Sequence, residues 1–123
     1  MKIHLSDLTK QVLLEIRKHV CSEYVLPNAS GDSFLTDKAL PKAILRIQER
    51  VNIPQWTAHD LRRTFATQLG ETLNSDPVVI EKCLGHRMPK IMATYNKNEM
   101  LPQRKEALNQ WAQYILKLVN DGQ

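Results

Sequence analysis

The sequence lacks the features that mark secreted and membrane proteins. Its 123 residues include two cysteines, Cys21 and Cys83, which are too few for a disulfide framework and form no C-x-x-C pair. No apolar run is long enough to span a membrane, and no signal-like segment opens the chain. These absences predict a cytoplasmic protein with reduced thiols and no membrane partner.

Charge and composition set broad limits on function. The content is 42% hydrophobic and 24% charged, as in an ordinary soluble domain, and the net charge is +4. A mildly basic chain permits a polyanionic partner without requiring one. The segment from Glu81 to Lys105 accounts for this excess of positive charge, since it holds six basic residues and two acidic ones. This segment is interpreted either as a solvated basic face or as a surface for a polyanion.

Apolar periodicity and capping signals predict a mainly α fold. The expected helices run from Ser6 to about His19, from Thr36 or Asp37 to Val51, from about His59 to Leu73, from Asp76 to Gly85, from Pro89 through Tyr95, and from Pro102 to Val119. A brief extended piece, 24–27, and a polar loop, 28–33, separate the first two helices. We therefore expect a single compact helical domain over 1–123, with at most a short strand or hairpin.

Four residues form the most informative pattern in the chain. His59 and Arg62 are three residues apart and share one face of a predicted helix, while His86 follows Gly85 at a predicted helix end. Arginine binds phosphate bidentately and keeps its proton, and histidine can donate to phosphate or move a proton near neutral pH. Tyr95 carries a phenol, which becomes a nucleophile when nearby cations favour its anion.

Helical phase separates Arg62 from its neighbour. With Leu61, Phe65 and Leu69 facing inward, Arg62 falls about 60° from the centre of the apolar stripe, at the edge of the core. Arg63 points nearly opposite, into solvent. The phase therefore predicts that packing holds Arg62 rigid.

In this order and spacing the residues resemble the C-terminal half of a tyrosine recombinase, or phage-type integrase, active site. The matching features are the H-x-x-R box from His59 to Arg62, the L-G-H box from Leu84 to His86, and Tyr95 shortly after it. The resemblance runs from about Pro54 to the C-terminus.

The resemblance implies site-specific DNA recombination by strand cleavage and rejoining. Tyr95 would attack the scissile phosphate to form a 3′-phosphotyrosyl bond, with Arg62, His59 and His86 contacting that phosphate or assisting proton transfer. The implied partner is double-stranded DNA, without a small-molecule substrate, cofactor or metal. In this family the C-terminal segment often docks on a neighbouring protomer, which implies self-association through the last helix.

Each of these residues also has a structural interpretation. Arg62 can pair with a local carboxylate, His86 can cap a helix, and Tyr95 can complete an amphipathic turn. A zinc site is disfavoured because the histidines and cysteines form no ligand pair of suitable spacing. Cys83, three residues before His86, suggests a Cys–His nucleophile, but it falls on the apolar face of its helix and is interpreted as core.

Two expected catalytic residues are not identifiable. The family also uses an arginine from an upstream Gly- and Glu-rich box and a lysine from a β-hairpin. Lys2 and Arg17 lie in unsuitable contexts for these roles. We therefore expect 1–123 to be the C-terminal portion of a catalytic domain, inactive in isolation. The alternatives are a truncated or degenerate module that binds DNA or a partner without catalysis, and a plain helical interaction domain.

Overall fold

The computed structural model describes residues 2–86 and 98–122. Within these ranges the fold is helical. The described β-structure consists of one isolated antiparallel bridge between Pro27 and Phe34. The helices are α1 (Asp7–Lys18), α2 (Ala39–Gln48), α3 (Ala58–Glu71), α4 (Pro77–Leu84) and α5 (Leu101–Asp121). The mainly α prediction is confirmed. The helix expected from Pro89 through Tyr95 lies outside the described residues.

Local capping chemistry accounts for several helix ends. At the start of α1, the Oγ of Ser6 accepts a hydrogen bond from the backbone N–H of Thr9 at 3.2 Å. At the start of α4, Asp76 accepts from the N–H of Val78 at 2.8 Å, and Pro77 occupies the first helical position. Both starts agree with the sequence prediction, whereas α2 begins at Ala39, beyond the predicted Thr36 or Asp37.

The described chain divides into two compact units. Unit 1 takes in the described residues of Met1–Lys10 and Thr64–Gln123, and unit 2 is Gln11–Arg63. The division falls within α1 and within α3. None of the helices in the described ranges is both long enough and apolar enough to cross a bilayer.

Unit 1 contains the larger core. It is built where the second half of α3 packs with α4 and α5, and its buried side chains are Leu69, Val79, Ile80 and Ala107. The ring of Phe65 meets Trp111 edge-on, with centroids 5.3 Å apart. Aromatic pairs of this kind stabilise a fold by about 0.5–1.5 kcal/mol more than the burial of their apolar surface alone would. The predicted apolar stripe of the last helix thus packs within its own chain, although Leu118 and Val119 at its end remain more than half exposed.

Arg104 is buried in unit 1, with only 4% of its surface exposed. Its Nη2 donates to the carbonyl of Lys2 at 2.5 Å and its Nη1 donates to the carbonyl of Glu99 at 3.3 Å. Its Nε has no hydrogen-bond partner. Arg104 therefore does not belong to a solvated basic face, which corrects that interpretation of the segment Glu81 to Lys105. The two carbonyls explain its position, since they satisfy donors that solvent cannot reach.

Unit 2 has little core of its own. Ile44 of α2 is its one buried residue. The stripe predicted for α2 is otherwise exposed, with Leu40 at 52% and Ile47 at 49%, and α1 buries no residue. Hydrogen bonds shape the segment between these helices. The loop 28–33 is closed by the N–H of Asn28 on the carbonyl of Ser33, 2.8 Å apart.

Candidate active site

A capping box fixes the start of α3 and hence the position of the H-x-x-R residues. The carboxylate of Asp60 accepts from the backbone N–H of Thr57 at 2.9 Å, and the N–H of Asp60 donates to the Oγ1 of Thr57 at 3.2 Å. These hydrogen bonds from Thr57, with a smaller contribution from the charge of Arg63, lower the pKa of the Asp60 carboxyl. His59 and Arg62 follow at the second and fifth helical positions.

His59 and Arg62 are exposed and share a face of α3. Arg63 turns to another side, where its Nη1 lies 3.7 Å from Asp60 and its side chain is 70% exposed. The predicted inward position of Leu61 is wrong, since it is 57% exposed. The apolar stripe of α3 is buried only further along, at Leu69, because the core of unit 1 begins with the second half of the helix. Burial in that core therefore does not orient Arg62.

The L-G-H sequence forms a Schellman-type helix end that fixes His86. Gly85 adopts a positive φ of 72°, which a side chain would strain. The N–H of Gly85 donates to the carbonyl of Lys82 at 3.2 Å, and the N–H of His86 donates to the carbonyl of Glu81 at 3.1 Å. The helix end thus positions His86 through its backbone and leaves its side chain exposed.

Glu81 also contacts the ring of His86. Its carboxylate lies 2.6 Å from Nδ1, and the two side chains are 43% and 48% exposed. Helical periodicity does not predict this pair, because residues five apart lie on different sides of a regular helix. The signal that identifies it is the glycine-terminated helix end, which folds residue 86 back toward the turn of residue 81.

The other side chains that could act as nucleophiles, Cys83, Tyr114 and Tyr24, make contacts that stabilise the fold. Cys83 packs partly buried against the core, and burial raises the pKa of its thiol while the nearby Arg104 opposes that shift in part. This agrees with its interpretation as a core residue. Tyr114 donates its hydroxyl to Gln68 at 3.1 Å, and the ring of Tyr24 lies 6.3 Å from that of Phe34. Tyr95, the predicted nucleophile, lies outside the described residues.

The predicted site residues are therefore distributed as follows. His59 and Arg62 are brought together on α3 and belong to unit 2, whereas His86 belongs to unit 1. Within the described ranges, no group of three or more His, Cys, Asp or Glu side chains is placed to hold a metal ion.

The structure thus places the H-x-x-R pair on a capped helix and the L-G-H sequence at a helix end. Residues 2–101 match the sequence profile of the phage integrase family. The chain belongs to this family, whose members carry out site-specific recombination. No curated protein and no solved structure matches the chain significantly.

Proposed function

We propose that the chain contributes to DNA integration or excision by cleaving and rejoining DNA strands through a 3′-phosphotyrosyl intermediate on Tyr95. The observation that carries this proposal is the exposed pair of His59 and Arg62 on one face of α3, within a chain of the phage integrase family. Exposed cationic and proton-transferring groups on one helical face suit a phosphate in a large polymer better than a small buried ligand.

The chemistry follows from charge development at the scissile phosphate. Attack by the Tyr95 oxygen gathers negative charge on the non-bridging oxygens, so fixed donors lower the barrier. In this proposal Arg62 binds those oxygens, and His59 and His86 donate to them or move protons. As the phosphotyrosyl bond forms, the bond from phosphorus to the 5′-oxygen breaks, and the family's hairpin lysine acts as the general acid that protonates this oxygen so that it leaves as a hydroxyl. The phosphotyrosyl bond keeps the phosphodiester energy for rejoining. The proposal requires no cofactor.

A basic stripe on α2 supports double-stranded DNA as the partner. Four cationic residues recur at every fourth position, and all four are exposed: Lys38, Lys42, Arg46 and Arg50. Lys42 and Arg46 lie on α2, and Lys38 and Arg50 flank its two ends. Each step of four residues turns about 40° around a helix, so neighbouring charges in this row lie on adjacent sides. Such a row fits successive phosphates, and we expect its DNA affinity to fall as salt concentration rises.

The test compares Arg62 with its neighbour. The assay uses this chain joined to an upstream segment that supplies the family's first arginine and hairpin lysine, with a nicked suicide duplex as substrate. We expect Arg62→Ala to cost about 3–4 kcal/mol of transition-state stabilisation, as for loss of a fixed donor to a developing anion. Arg63→Ala is the matched control and should change the cleavage rate little. Equal losses in the two variants would contradict the assignment of Arg62.

A second candidate function is DNA binding without cleavage. It is favoured by the absence from the sequence of an identifiable first arginine and hairpin lysine. Loss of one preorganised donor costs about 10²–10³ in rate, and loss of a general acid about 10²–10⁴. We therefore expect the 123-residue chain alone to bind DNA weakly and not to cleave it. Efficient cleavage by this chain alone would show that another arginine, such as Arg17 or Arg46, completes the site.

We also propose self-association on DNA through the end of α5. Trp111 packs against Phe65 within the chain, so the part of α5 left to contact a second copy of the chain is its exposed end at Leu118 and Val119. Replacing both residues with aspartate should lower the mass of DNA-bound assemblies in light scattering while leaving the melting temperature unchanged. An unchanged mass would remove this role.

A further inference from the structure

We infer that Glu81 is a positioning residue for His86, holding the imidazole ring in the tautomer and orientation that present Nε2 outward. This inference rests on the proposed function, since it gives that Nε2 its role toward the scissile phosphate. The pair is local to unit 1, and nothing in the family match assigns a role to Glu81.

The carboxylate determines which nitrogen carries the proton. An ionised carboxylate only accepts hydrogen bonds, so the 2.6 Å contact requires a proton on Nδ1 of His86. The neutral ring then has Nε2 as its unprotonated nitrogen, which can accept a proton. The protonated ring can donate Nε2–H to a phosphate oxygen. In both states the reacting nitrogen is Nε2, while Nδ1 stays engaged with Glu81.

The backbone also holds His86 close to Glu81. The carbonyl of Glu81 accepts from the N–H of His86 at 3.1 Å, so one residue holds both the main chain and the ring of the histidine. The positive φ of Gly85 produces the reversal that brings residue 86 over residue 81. With its main chain fixed by one hydrogen bond and its Nδ1 engaged by another, the His86 side chain has less rotational freedom before DNA binds. Preorganisation of this kind lowers the entropy lost when the transition state forms.

The first experiment measures the tautomer of His86 in the 123-residue chain, without any need for activity. Long-range ¹H–¹⁵N NMR at a pH where the ring is neutral distinguishes a protonated Nδ1 from a protonated Nε2, and His86→Gln assigns the signals. We expect Nδ1–H in the unmodified chain and a shift toward Nε2–H in Glu81→Ala. Glu71→Ala removes an exposed glutamate from the end of α3 and should leave the His86 signals unchanged. Nε2–H in the unmodified chain, or an unchanged tautomer in Glu81→Ala, would overturn the inference.

The second experiment measures cleavage in the joined protein described above. We expect Glu81→Ala to lower the cleavage rate about 10–100-fold with DNA affinity unchanged, by analogy with the loss seen when the carboxylate that orients a metal-bound histidine is removed. Glu81→Gln keeps an acceptor for Nδ1–H and should recover part of the rate, which a loss of folding would not explain. Equal rates for the unmodified protein and Glu81→Ala would overturn the positioning role. If the unmodified joined protein forms no adduct, the proposed function fails, and the NMR result still decides whether Glu81 holds His86.

Discussion

Unit 1 and unit 2 differ in the interactions that hold their structures in place. In unit 1, Leu69 is fully buried and Arg104 is held by two carbonyls, so side chains distant in sequence define the structure. In unit 2, Ile44 is the one buried residue, and hydrogen bonds between near neighbours in sequence shape the loop 28–33 and the start of α3.

The packed core and the exposed basic stripe of α2 therefore lie in different units. Unit 2 carries His59, Arg62 and the basic stripe of α2, all of them exposed, while unit 1 carries the packed core. Since hydrophobic burial is the main favourable contribution to folding, most of the stability should reside in unit 1. These exposed charges are the observation on which the proposed contact with DNA rests.

The largest expected effect comes from deleting core side chains in each unit. Leu69→Ala should lower the free energy of unfolding by about 3–5 kcal/mol, because its packed surroundings leave a cavity. Ile44→Ala should cost about 2 kcal/mol or less, since its exposed neighbours can close over the gap. Urea denaturation measures both. Trp111 reports on unit 1 when Trp56 is replaced by phenylalanine, and the reverse replacement leaves Trp56 as the reporter for unit 2. Equal losses would show that the two units have comparable cores.

A smaller effect is expected at the buried arginine. Arg104→Ala removes the donors to the carbonyls of Lys2 and Glu99 and should cost about 1–3 kcal/mol in total, because both carbonyls belong to exposed residues and water can replace part of what is lost. Lys105→Ala, at the next and exposed position, is the control and should change stability by less than about 0.5 kcal/mol. Thermal denaturation of both variants measures the difference. Similar melting temperatures would mean that Arg104 is solvated after all.

The smallest effect concerns the capping box of α3. Hydrogen bonds from Thr57 lower the pKa of the Asp60 carboxyl in the folded chain, so the stability that these bonds contribute is complete above the unfolded-state pKa of about 4. It is lost as pH falls through the lowered pKa of the folded state. NMR titration of Asp60 should therefore show protonation at a lower pH than in Thr57→Ala. Thr57→Ala keeps the backbone N–H that donates to Asp60, so this variant tests the hydroxyl hydrogen bond alone. Identical titrations in the two proteins would show that the Thr57 hydroxyl does not lower the pKa of Asp60.

Local signals in the sequence predicted much of the fold. Ser6, Asp76 and Gly85 act through groups within a few residues, so their roles at helix ends follow from residue type and spacing alone. The same logic placed His59 and Arg62 on one helical face. These parts of the structure depend little on what packs around them.

The features that the sequence did not predict depend on distant or folded contacts. The burial of Arg104 requires the carbonyl of Lys2, 102 positions away in sequence. The exposure of Leu61 depends on where the core of unit 1 begins, which helical periodicity does not specify. The contact between Glu81 and His86 needs the reversed chain at Gly85, because five residues along a regular helix do not bring two side chains together.

Mapping the residue that becomes linked to DNA tests the central claim most directly. The joined protein is incubated with a nicked suicide duplex, and the adduct is digested and identified by peptide mass spectrometry. We predict that the DNA is attached to Tyr95, and that Tyr95→Phe abolishes the adduct while sparing DNA binding because only a hydroxyl is lost. An adduct on Tyr24 or Tyr114, or one that persists in Tyr95→Phe, would contradict the account.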